Sequence, residues 1–390
     1  MIAPTPFFSD RGCHVRILEE IKALQKCEIQ SLLVTYPNGE DVEGVAMERV
    51  GRWTGYSKAG AGPHVMKPFL DILLFFKALD AARRFRPHLI HAYLHEGCLI
   101  GWPISRWRRI PLLFDYQGSL ARELAQHGLV RDGGIGYRFF AAVESVINSL
   151  PNAVATSSGV LCEELNKYRA RVSPLQDALS PSEFSGAPDG KMMEEWGAAN
   201  RFVVVFLGLL NSYQGVDLLL NAAEKLKKRG RKDILFLIMG YPNVKKYRDL
   251  AVEKGVGDMA RFVGRVAYKD ASKWLRLGQV AVAPKIAATE SNGKILDYMA
   301  CGLPTIAFDT PVNRELLGDA GLLAPWDGDE NKGAIALADA VEKLADDPAL
   351  REELAERGRR RVEENFSRGV LADRLVGIYK DVLGERYRAA

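Results

Sequence analysis

Short apolar runs alternate with amphipathic stretches along almost the whole 390-residue chain. The runs at 202–207, 234–239 and 280–283 predict buried strands, and apolar residues in the stretches between them recur at helical spacing. Strands that alternate with helices are typical of parallel sheets covered by helices. We therefore expect an α/β fold built of doubly wound, mostly parallel sheets.

The alternation occurs in two successive sets, separated by a stretch of different character. Residues 180–200 are rich in Pro, Ser, Gly and Asp, which is typical of a linker. The pattern predicts one domain over 1–180 and a second over 181–371. Ligands of such sheets bind outside the carboxyl ends of the strands, and the cleft between two domains is the expected site.

Composition narrows the function classes. Lys and Arg number 53 and Asp and Glu number 49, and this net charge of +4 is too small to indicate a nucleic-acid partner. Five cysteines without a CxxC pair predict reduced thiols, and the start of the chain lacks the basic region of a signal peptide. The apolar run 69–79 is too short to span a bilayer. A cytoplasmic protein is expected.

The most informative stretch is 284–304, with the sequence PKIAATESNGKILDYMACGLP. A helix is expected to begin near Gly293, with Asn292 as its N-cap. The backbone N–H groups of Gly293, Lys294 and Ile295 would then be free at the positive end of the helix. Such a helix end suits a diphosphate.

Two carboxylates accompany this helix start. Asp297 lies about one turn into the helix, where it can accept both hydroxyls of a ribose, as acidic residues do in nucleotide sites. Glu290, in the loop before the helix, is a candidate for the hydroxyls of a sugar. From the residues alone, the alternative interpretation is an ordinary strand–loop–helix whose charged side chains are solvated.

Residues 294–304, KILDYMACGLP, followed by 305–309 and Glu315, resemble the signature of the family-four retaining glycosyltransferases, the group 1 class with the GT-B fold. The family pattern is E-x7-E followed by A-M-A-x-G-x-P, in which the second Glu binds the ribose. The resemblance implies two Rossmann-like domains that face a central cleft. It also implies a nucleotide-sugar donor, a sugar or lipid-linked acceptor, no cofactor and no metal.

The resemblance covers both domains. In the first, acceptor-side domain, Gly12 matches the glycine whose backbone approaches the donor phosphate, and His95 matches the histidine that contacts the donor sugar. A satisfied, buried histidine is the alternative for His95. Gly118 lies in the loop that faces donor and acceptor, and the final helix, about 372–390, matches a tail that crosses back onto this domain.

The second domain matches the part of the family that binds the nucleotide sugar. Gly208 and Gly240 follow the first two strands of this domain, and Val266 lies where the backbone of the family pairs with the nucleobase. Residues 292–295 match the diphosphate loop. Asp297 matches the ribose carboxylate.

Two positions depart from the family in a way that affects the diphosphate. The family usually has Arg at position 209 and Lys at position 214, whereas this chain has Leu209 and Gln214. Departure of a nucleoside diphosphate needs electrostatic stabilisation of the developing charge. We expect Lys285 to supply it, with Lys294 as the second candidate.

The acidic pair also departs from the family. Asp297 is one methylene shorter than the usual Glu, and eight residues before it stands Thr289, with Glu290 one residue off the usual spacing. This leaves the sugar contact of Glu290 less firmly predicted than the ribose contact of Asp297.

Other features carry weaker signals. Asp327 and Asp329 form a DxD pair in a surface turn, and we expect no metal there. Arginines at 83, 84, 86, 106, 108 and 109 accompany Trp102 and Trp107, so a peripheral contact with the inner membrane face is an alternative to solvated helix faces.

The sequence therefore predicts a metal-independent retaining glycosyltransferase, with His95, Glu290 and Lys285 as candidate catalytic residues. The alternatives are a sugar-nucleotide 2-epimerase and a non-catalytic nucleotide-sugar-binding partner subunit. The neutral residues Leu209 and Gln214 motivate the second alternative.

Overall fold

The chain forms two compact units. In this computed structural model the described residues are 1–51, 66–126, 128–168, 170–286 and 290–385. The N-terminal unit comprises Met1–Asp177 together with the chain from Arg368 onward, and the C-terminal unit comprises Ala178–Ser367. Each unit contains one sheet, and each is described separately below.

The described residues of the N-terminal unit contain seven strands and seven α-helices. The strands are β1 (Ile2–Ala3), β2 (Leu33–Thr35), β3 (Met47–Arg49), β4 (Ile90–Tyr93), β5 (Leu112–Tyr116), β6 (Ala153–Thr156) and β7 (Arg171–Pro174). The helices are α1 (Gly12–Lys26), α2 (Lys67–Phe85), α3 (Leu94–Arg108), α4 (Leu120–Gln126), α5 (Ile135–Asn148), α6 (Gly159–Leu165) and, from the end of the chain, α15 (Arg368–Leu383). The strands form one parallel sheet in the order β3-β2-β1-β4-β5-β6-β7.

Connections between parallel strands are right-handed, and this rule places the helices on the two faces of the sheet. The chain moves from β1 to β2 through α1 in one direction, and from β3 to β4, β5 and β6 through α2, α3 and α5 in the other. Helix α1 therefore covers one face, where it packs against α15. Helices α2, α3 and α5 cover the other face, and α3 contacts both of its neighbours.

The described residues of the C-terminal unit contain six strands and eight α-helices. The strands are β8 (Phe202–Leu207), β9 (Ile234–Met239), β10 (Ala260–Gly264), β11 (Val280–Ala283), β12 (Thr305–Phe308) and β13 (Gly321–Ala324). The helices are α7 (Gly190–Glu195), α8 (Val216–Lys228), α9 (Val244–Glu253), α10 (Ala271–Leu275), α11 (Lys294–Ala300), α12 (Pro311–Leu317), α13 (Glu330–Asp346) and α14 (Pro348–Asn365). The sheet is parallel, in the order β10-β9-β8-β11-β12-β13.

Continuous apolar strands explain the doubly wound sheets. Strand β9 reads ILFLIM and is buried at every residue, and β11 reads VAVA and is also fully buried. A strand buried on both faces lies between two layers of helices. The predicted α/β fold with two doubly wound parallel sheets is confirmed. The predicted linker at 180–200 is more regular than expected, because it contains a 3-10 helix at Pro181–Phe184 and α7.

Each sheet has a position where the strand order reverses. In the N-terminal unit this switch point lies between β1 and β4, and in the C-terminal unit it lies between β8 and β11. The loops that leave the carboxyl ends of these strands diverge and leave a crevice for ligands. In the described part of the chain, no helix is long and apolar enough to cross a membrane.

Candidate functional site

The loops after β8 and β11 meet at the switch point of the C-terminal unit. The Ile286 N–H donates to the Tyr213 carbonyl across 3.3 Å. Gly215 has φ +76°, and a Cβ on it would lie 2.0 Å from the Pro284 carbonyl oxygen. Glycine is therefore required at 215, both for the left-handed backbone and for the close approach of the two loops.

The side chain of Lys294 crosses this junction. Its Nζ donates to Gln214 Oε1 at 2.6 Å and lies 4.4 Å from the centroid of the Phe206 ring. A Cβ on Gly208 would lie only 2.5 Å from the same Nζ, so glycine at 208 leaves the space that the ammonium occupies. The charge of Lys294 therefore lies beside Gln214, the position at which the family resemblance predicts a lysine.

The surroundings of Lys294 change its protonation. Removal from water disfavours the ammonium and lowers its pKa from the usual value of 10.5 to about 7, and the positive charge of Lys285 acts in the same direction. The Asp297 carboxylate acts against both. An anion bound at this point would favour the protonated amine, so the pKa of Lys294 should rise when a phosphate binds.

Lys285 differs from Lys294 in having a carboxylate partner. Its Nζ lies 3.0 Å from Glu290 Oε2 and donates to the Ser291 carbonyl at 2.9 Å. Lys285 is buried, and the Glu290 carboxylate balances its charge within the same loop. The structure therefore brings two predicted site residues, Lys285 and Glu290, into direct contact with each other. Of the two candidate phosphate cations, Lys294 is the one that hydrogen-bonds a neutral side chain, whereas Lys285 pairs with a carboxylate.

The start of α11 differs from the sequence prediction. Gly293, not Asn292, is the N-cap, and no side chain caps the helix. The Asn292 amide instead donates to Asn313 Oδ1 at 3.1 Å, because the buried side chain turns toward the start of α12. The Ile295 N–H was expected to be free, but it donates to the Asn292 carbonyl at 2.9 Å.

Asp297 ends the first turn of α11, and Tyr298 begins the next. Asp297 is half-buried, and it follows the Lys294 position by three residues on the same helix. The neighbouring Tyr298 hydroxyl accepts from the Leu207 N–H at 2.8 Å. This bond fixes the start of α11 against the end of β8 and so positions both Lys294 and Asp297.

Gly208 and Gly240 line the carboxyl edge of this sheet. The Gly208 N–H donates to the Met239 carbonyl at 3.0 Å, and the Gly240 N–H donates to the Gly264 carbonyl at 2.8 Å. Gly240 has φ +156°, and a Cβ there would lie 1.8 Å from the Gly208 carbonyl oxygen. Val266 follows β10 and is half-buried. Gly208, Gly240 and Val266 thus lie in the loops after β8, β9 and β10.

In the N-terminal unit, the loop between β1 and α1 is organised by His14. The Ser9 N–H donates to His14 Nδ1 at 3.0 Å, and His14 Nε2 lies 2.6 Å from Thr5 Oγ1. Burial lowers the pKa of His14 well below its usual value, and nearby Arg11 acts in the same direction, so the ring is neutral. Gly12 begins α1, and a Cβ on it would meet no atom within 4 Å. The sequence analysis did not single out His14.

Three buried polar atoms that lack a hydrogen-bond partner among the described residues lie at the carboxyl edge of the same sheet. They belong to His95 on α3, Gln117 after β5 and Ser157 after β6, and His95 Nε2, Gln117 Nε2 and Ser157 Oγ find no hydrogen-bond partner among the described residues. Buried polar groups normally have partners. Atoms left without one at the end of a parallel sheet mark a place for a polar ligand. The sequence signal that points to Gln117 and Ser157 is a polar residue directly after a predicted strand.

His95 lies between aromatic rings. Its ring centroid is 5.4 Å from that of Phe114 and 5.3 Å from that of Tyr116, both edge-on. Burial lowers its pKa, which favours the neutral ring. Gly118 lies in the bend after β5, and Ser119 next to it donates to Glu144 at 2.7 Å. The Glu144 carboxylate therefore fixes the loop that contains Gly118.

The acidic groups that could suggest a metal are engaged by the protein. Asp329 accepts from two N–H groups at the start of α13, and Asp327 pairs with Lys332 at 2.8 Å. Glu20, His91 and Asp115 form the one cluster with metal-ligand spacing in the described residues. There, however, Arg16 Nη2 lies 2.7 Å from Asp115 Oδ2, so a guanidinium already pairs with the carboxylate.

The predicted site residues therefore fall into two groups. Lys285, Glu290 and residues 292–297 lie together at the switch point of the C-terminal unit, with Gly208, Gly240 and Val266 in adjoining loops. Gly12, His95 and Gly118 lie at the carboxyl edge of the other sheet. Thr289 falls outside the described residues. The Lys294–Gln214 contact was not predicted, because its two residues are 80 positions apart.

Comparisons with known proteins agree with this architecture. The model of the family "Glycosyl transferases group 1" matches residues 190–361, and that of the "Glycosyl transferase 4-like domain" matches residues 11–174. Alpha-D-kanosaminyltransferase of Streptomyces kanamyceticus is 29% identical over 198 residues, which are 49% of this chain and 49% of that relative. The matched part thus spans about half the length of this relative.

Two other similar proteins extend over most of the chain. D-inositol 3-phosphate glycosyltransferase of Pseudarthrobacter chlorophenolicus is 24% identical over 362 residues, 87% of this chain and 83% of that protein. The crystal structure of Anabaena HepE in complex with UDP and glucose superposes with a TM-score of 0.77 at 14% identity, covering 97% of this chain and 98% of that chain. Two family models that together cover both units, and a shared two-sheet fold, show that this chain belongs to the group 1 glycosyltransferases with the GT-B fold.

Proposed function

We propose that this protein transfers a sugar from a nucleotide-sugar donor to an acceptor hydroxyl, with retention of the anomeric configuration and without a metal ion. Membership of the group 1 glycosyltransferases supports the reaction class. The similar HepE structure, which contains UDP and glucose, supports a nucleotide sugar as donor. The observation that carries the proposal is the ammonium of Lys294 at the switch point of the C-terminal unit.

Lys294 has the position and the chemistry to stabilise a leaving diphosphate. Negative charge develops on the phosphate oxygens as the glycosidic bond breaks, and a fixed cation at that point lowers the barrier. Nζ of Lys294 lies beside Gln214 and above Gly208, at the carboxyl end of β8. The neutral residues Leu209 and Gln214 therefore do not leave this site without a cation, which weakens the case for a non-catalytic binding subunit.

The other residues of α11 and its loop complete the donor site. Asp297 would accept the ribose hydroxyls, with its helix held by the Tyr298 hydroxyl. Lys285 neutralises Glu290 and fixes its position, so that the carboxylate can accept a hydroxyl of the sugar. The Gly293 and Lys294 N–H groups at the helix start add partial positive charge near the phosphates.

The acceptor would be bound by the N-terminal unit. His95, Gln117 and Ser157 offer polar atoms that have no partner among the described residues, and a sugar hydroxyl can donate to or accept from such groups. The neutral ring of His95 can act as donor or acceptor. We assign no protein nucleophile: in the retaining reaction implied by the family, the leaving phosphate itself helps to deprotonate the acceptor.

The proposal is tested by release of nucleoside diphosphate from a panel of nucleotide sugars, with and without sugar acceptors and a lipid extract, in EDTA. The wild-type protein should release diphosphate from one donor in an acceptor-dependent manner. Asp297→Asn and Lys294→Met should each lower kcat/KM by roughly a hundredfold or more, as for loss of an electrostatic contact in a transition state. Lys245→Met, at an exposed lysine on α9, is the matched control and should change nothing.

Other outcomes would contradict the proposal in distinct ways. Saturable nucleotide-sugar binding without release would favour a non-catalytic binding subunit. Conversion of the donor sugar without any acceptor would favour a sugar-nucleotide 2-epimerase. Activity that is lost in EDTA and restored by a divalent cation would refute metal independence. Proton NMR of the product reads the anomeric configuration, and an inverted product would refute retention.

A further inference from the structure

The outer surface of helices α2, α3 and α5 is unusually apolar. These three helices lie side by side on one face of the sheet of the N-terminal unit, and α3 contacts both α2 and α5. We call their solvent-facing side the α2–α3–α5 face. A helix that covers a sheet normally presents polar residues to solvent.

Large apolar side chains are concentrated on this side of the molecule. Among the described residues, twelve large hydrophobic side chains are exposed, and eleven of them lie between Phe69 and Val146. The twelfth is Val252. Those on the α2–α3–α5 face are Phe69, Ile72, Phe76, Leu99, Trp102, Trp107, Ile135, Phe139 and Val146. Exposed apolar side chains concentrated on neighbouring helices in this way indicate an interaction site.

The exposed residues form stripes and not a random scatter. Phe69, Ile72 and Phe76 are spaced by three and four residues, so they lie along one side of α2. Ile135 and Phe139 are spaced by four on α5, where Ile135 is 90% exposed and Phe139 62% exposed. Each helix also has buried residues that pack on the sheet, so the exposed stripes are additional to the core-facing side.

Positive charge accompanies the apolar stripes. The segment 66–109 contains eight Lys and Arg residues and three Asp and Glu residues, a net charge of +5. Glu48, outside this segment, pairs with Lys77 and Arg84 and lowers the local net charge to +4. Arg106 and Arg108 are exposed, and neither has an ion-pair partner among the described residues. Arg83 lies over the ring of Trp107, 5.3 Å from its centroid, and joins the ends of α2 and α3.

We propose that the α2–α3–α5 face docks on the surface of an anionic lipid bilayer. Aromatic side chains favour the boundary between headgroups and acyl chains, and aliphatic side chains gain by insertion just below it. Exposed arginines gain from the negative surface potential of such a bilayer. The combination of both groups on neighbouring helices is what distinguishes this face from an ordinary solvated one.

Charge and composition argue against two other occupants. A second copy of the chain would bring two faces of the same positive sign together, which is unfavourable. A nucleic acid would satisfy the arginines but would offer no apolar partner to Ile72, Leu99 and Ile135. An anionic bilayer is the surface that satisfies both the cations and the aliphatic side chains. This proposal does not depend on the reaction proposed above.

The test is co-sedimentation of the full chain with vesicles of phosphatidylcholine alone and of phosphatidylcholine with phosphatidylglycerol. Wild type should bind the anionic vesicles more tightly than the neutral ones, and added salt should weaken the binding. The apolar variant is Phe76→Ser with Phe139→Ser, and the charge variant is Arg106→Glu with Arg108→Glu. Each should weaken binding by roughly tenfold or more.

Matched controls separate docking from unfolding and from net charge. Val252→Ser removes an exposed apolar residue of the C-terminal unit, outside the face. Lys232→Glu with Lys343→Glu makes the same change of net charge on exposed lysines of the other unit. Phe76→Leu with Phe139→Leu keeps the face apolar. All three should bind as wild type does, and circular dichroism should show that every variant is folded.

The proposal is overturned if wild type does not bind the anionic vesicles, or if the face variants bind as tightly as the controls. It is also overturned if sedimentation equilibrium shows a dimer that Phe76→Ser with Phe139→Ser dissociates while vesicle binding is absent. In that case the face is an interface between two copies of the chain.

Discussion

At the scale of single residues, the proposed donor site depends on the position of the Lys294 ammonium. Gln214 occupies the position at which the family resemblance expects a lysine, yet Lys294 Nζ lies 2.6 Å from its amide oxygen. The charge is therefore supplied by α11 and not by the loop after β8. Gly208 makes this exchange sterically feasible, because any larger residue would contact the same Nζ.

The lowered pKa of Lys294 predicts a pH dependence of donor binding. The pKa of this lysine is about 7, so the ammonium is lost as pH rises through that value. A diphosphate binds the protonated form, so affinity should fall above about pH 7, by up to about tenfold per unit. Calorimetric titration of the nucleoside diphosphate product at several pH values measures this.

Lys294→Gln is the control for the pH dependence. Titration of the ligand itself affects wild type and variant equally, so the ratio of their affinities isolates the lysine. A ratio that stays constant from pH 6 to pH 9 would contradict the role given to Lys294.

The lowered pKa of Lys294 also affects the free energy of unfolding. Between about pH 7 and pH 10.5 the folded lysine binds fewer protons than the unfolded one, so its contribution to stability rises with pH over this range. That contribution is therefore least favourable below about pH 7. The variant should therefore be no less stable than wild type at neutral pH.

At the scale of elements, the glycines after β8 and β9 have different reasons to be glycine. A Cβ on Gly208 would meet the end of the Lys294 side chain, which can move, whereas a Cβ on Gly240 would lie 1.8 Å from the Gly208 carbonyl oxygen. Gly208→Ala should therefore lower donor affinity with a change in unfolding free energy below about 1 kcal/mol. Gly240→Ala should cost about 3 kcal/mol or more, because both φ and the backbone contact oppose it.

Urea unfolding and diphosphate binding on the same two variants check this prediction. Equal losses of stability at both positions would show that Lys294 cannot move aside. Unchanged diphosphate affinity in Gly208→Ala would show that the Lys294 ammonium does not contact the ligand. Gly215→Ala is a useful reference, because it combines a φ of +76° with a backbone contact and should resemble Gly240→Ala.

The helix start at α1 gives a prediction of the opposite sign. Gly12 lies at the first position of α1, and a Cβ there would meet no atom within 4 Å. Ala favours helices by about 0.5–1 kcal/mol over Gly, so Gly12→Ala should be slightly more stable than wild type. Reduced activity in this more stable variant would locate a ligand at Gly12, whereas unchanged kcat/KM would refute the close approach that the sequence predicts.

The central strands of both sheets could be predicted from sequence, and the edge strands of the N-terminal unit could not. Strands such as Phe202–Leu207 and Ile234–Met239 are continuous apolar runs, and the structure gives the predicted bounds. Strand β3 contains Glu48 and Arg49, and β7 ends in Pro174. Edge strands tolerate charges and proline, so they lack the apolar run that identifies a central strand.

The site shows a similar division. The segment 292–297 was predicted as a unit because its residues are neighbours in sequence on one strand–loop–helix. The pairing of Lys285 with Glu290 depends on how the loop bends, and that of Lys294 with Gln214 depends on the contact between two loops. Neither conformation is encoded in spacing. Sequence reasoning therefore ranked Lys285 before Lys294, whereas the geometry favours Lys294.

At the scale of the whole molecule, the end of the chain completes the first unit. Helix α15 packs on α1, and Arg368 donates to both carboxylate oxygens of Glu19, at 2.7 and 3.0 Å. The Tyr379 hydroxyl lies 3.0 Å from His91 Nδ1. The N-terminal unit therefore cannot complete its core until residues from position 368 onward have been synthesised.

Arg368→Met should destabilise this unit. Glu19 is 0% exposed, and removal of the arginine leaves its carboxylate without its closest cation, with Lys22 at 3.4 Å as the remaining one. Breaking a buried pair costs about 3–5 kcal/mol, and the remaining lysine favours the lower end. Arg360→Met, which breaks an exposed pair with Glu356, should cost less than about 1 kcal/mol. Similar urea midpoints for the two variants would contradict this account of the chain return.

The most direct test of the central claim moves the cation from one loop to the other. Lys294→Gln alone should lower diphosphate release by roughly a hundredfold or more, because the leaving group loses its counter-charge. Gln214→Lys combined with Lys294→Gln exchanges the two side chains of the hydrogen bond. The ammonium would then occupy nearly the same point, so the double variant should recover most of the activity lost in the single variant. A double variant as inactive as Lys294→Gln, although folded, or a single variant as active as wild type, would contradict the claim that Lys294 supplies the charge at this site.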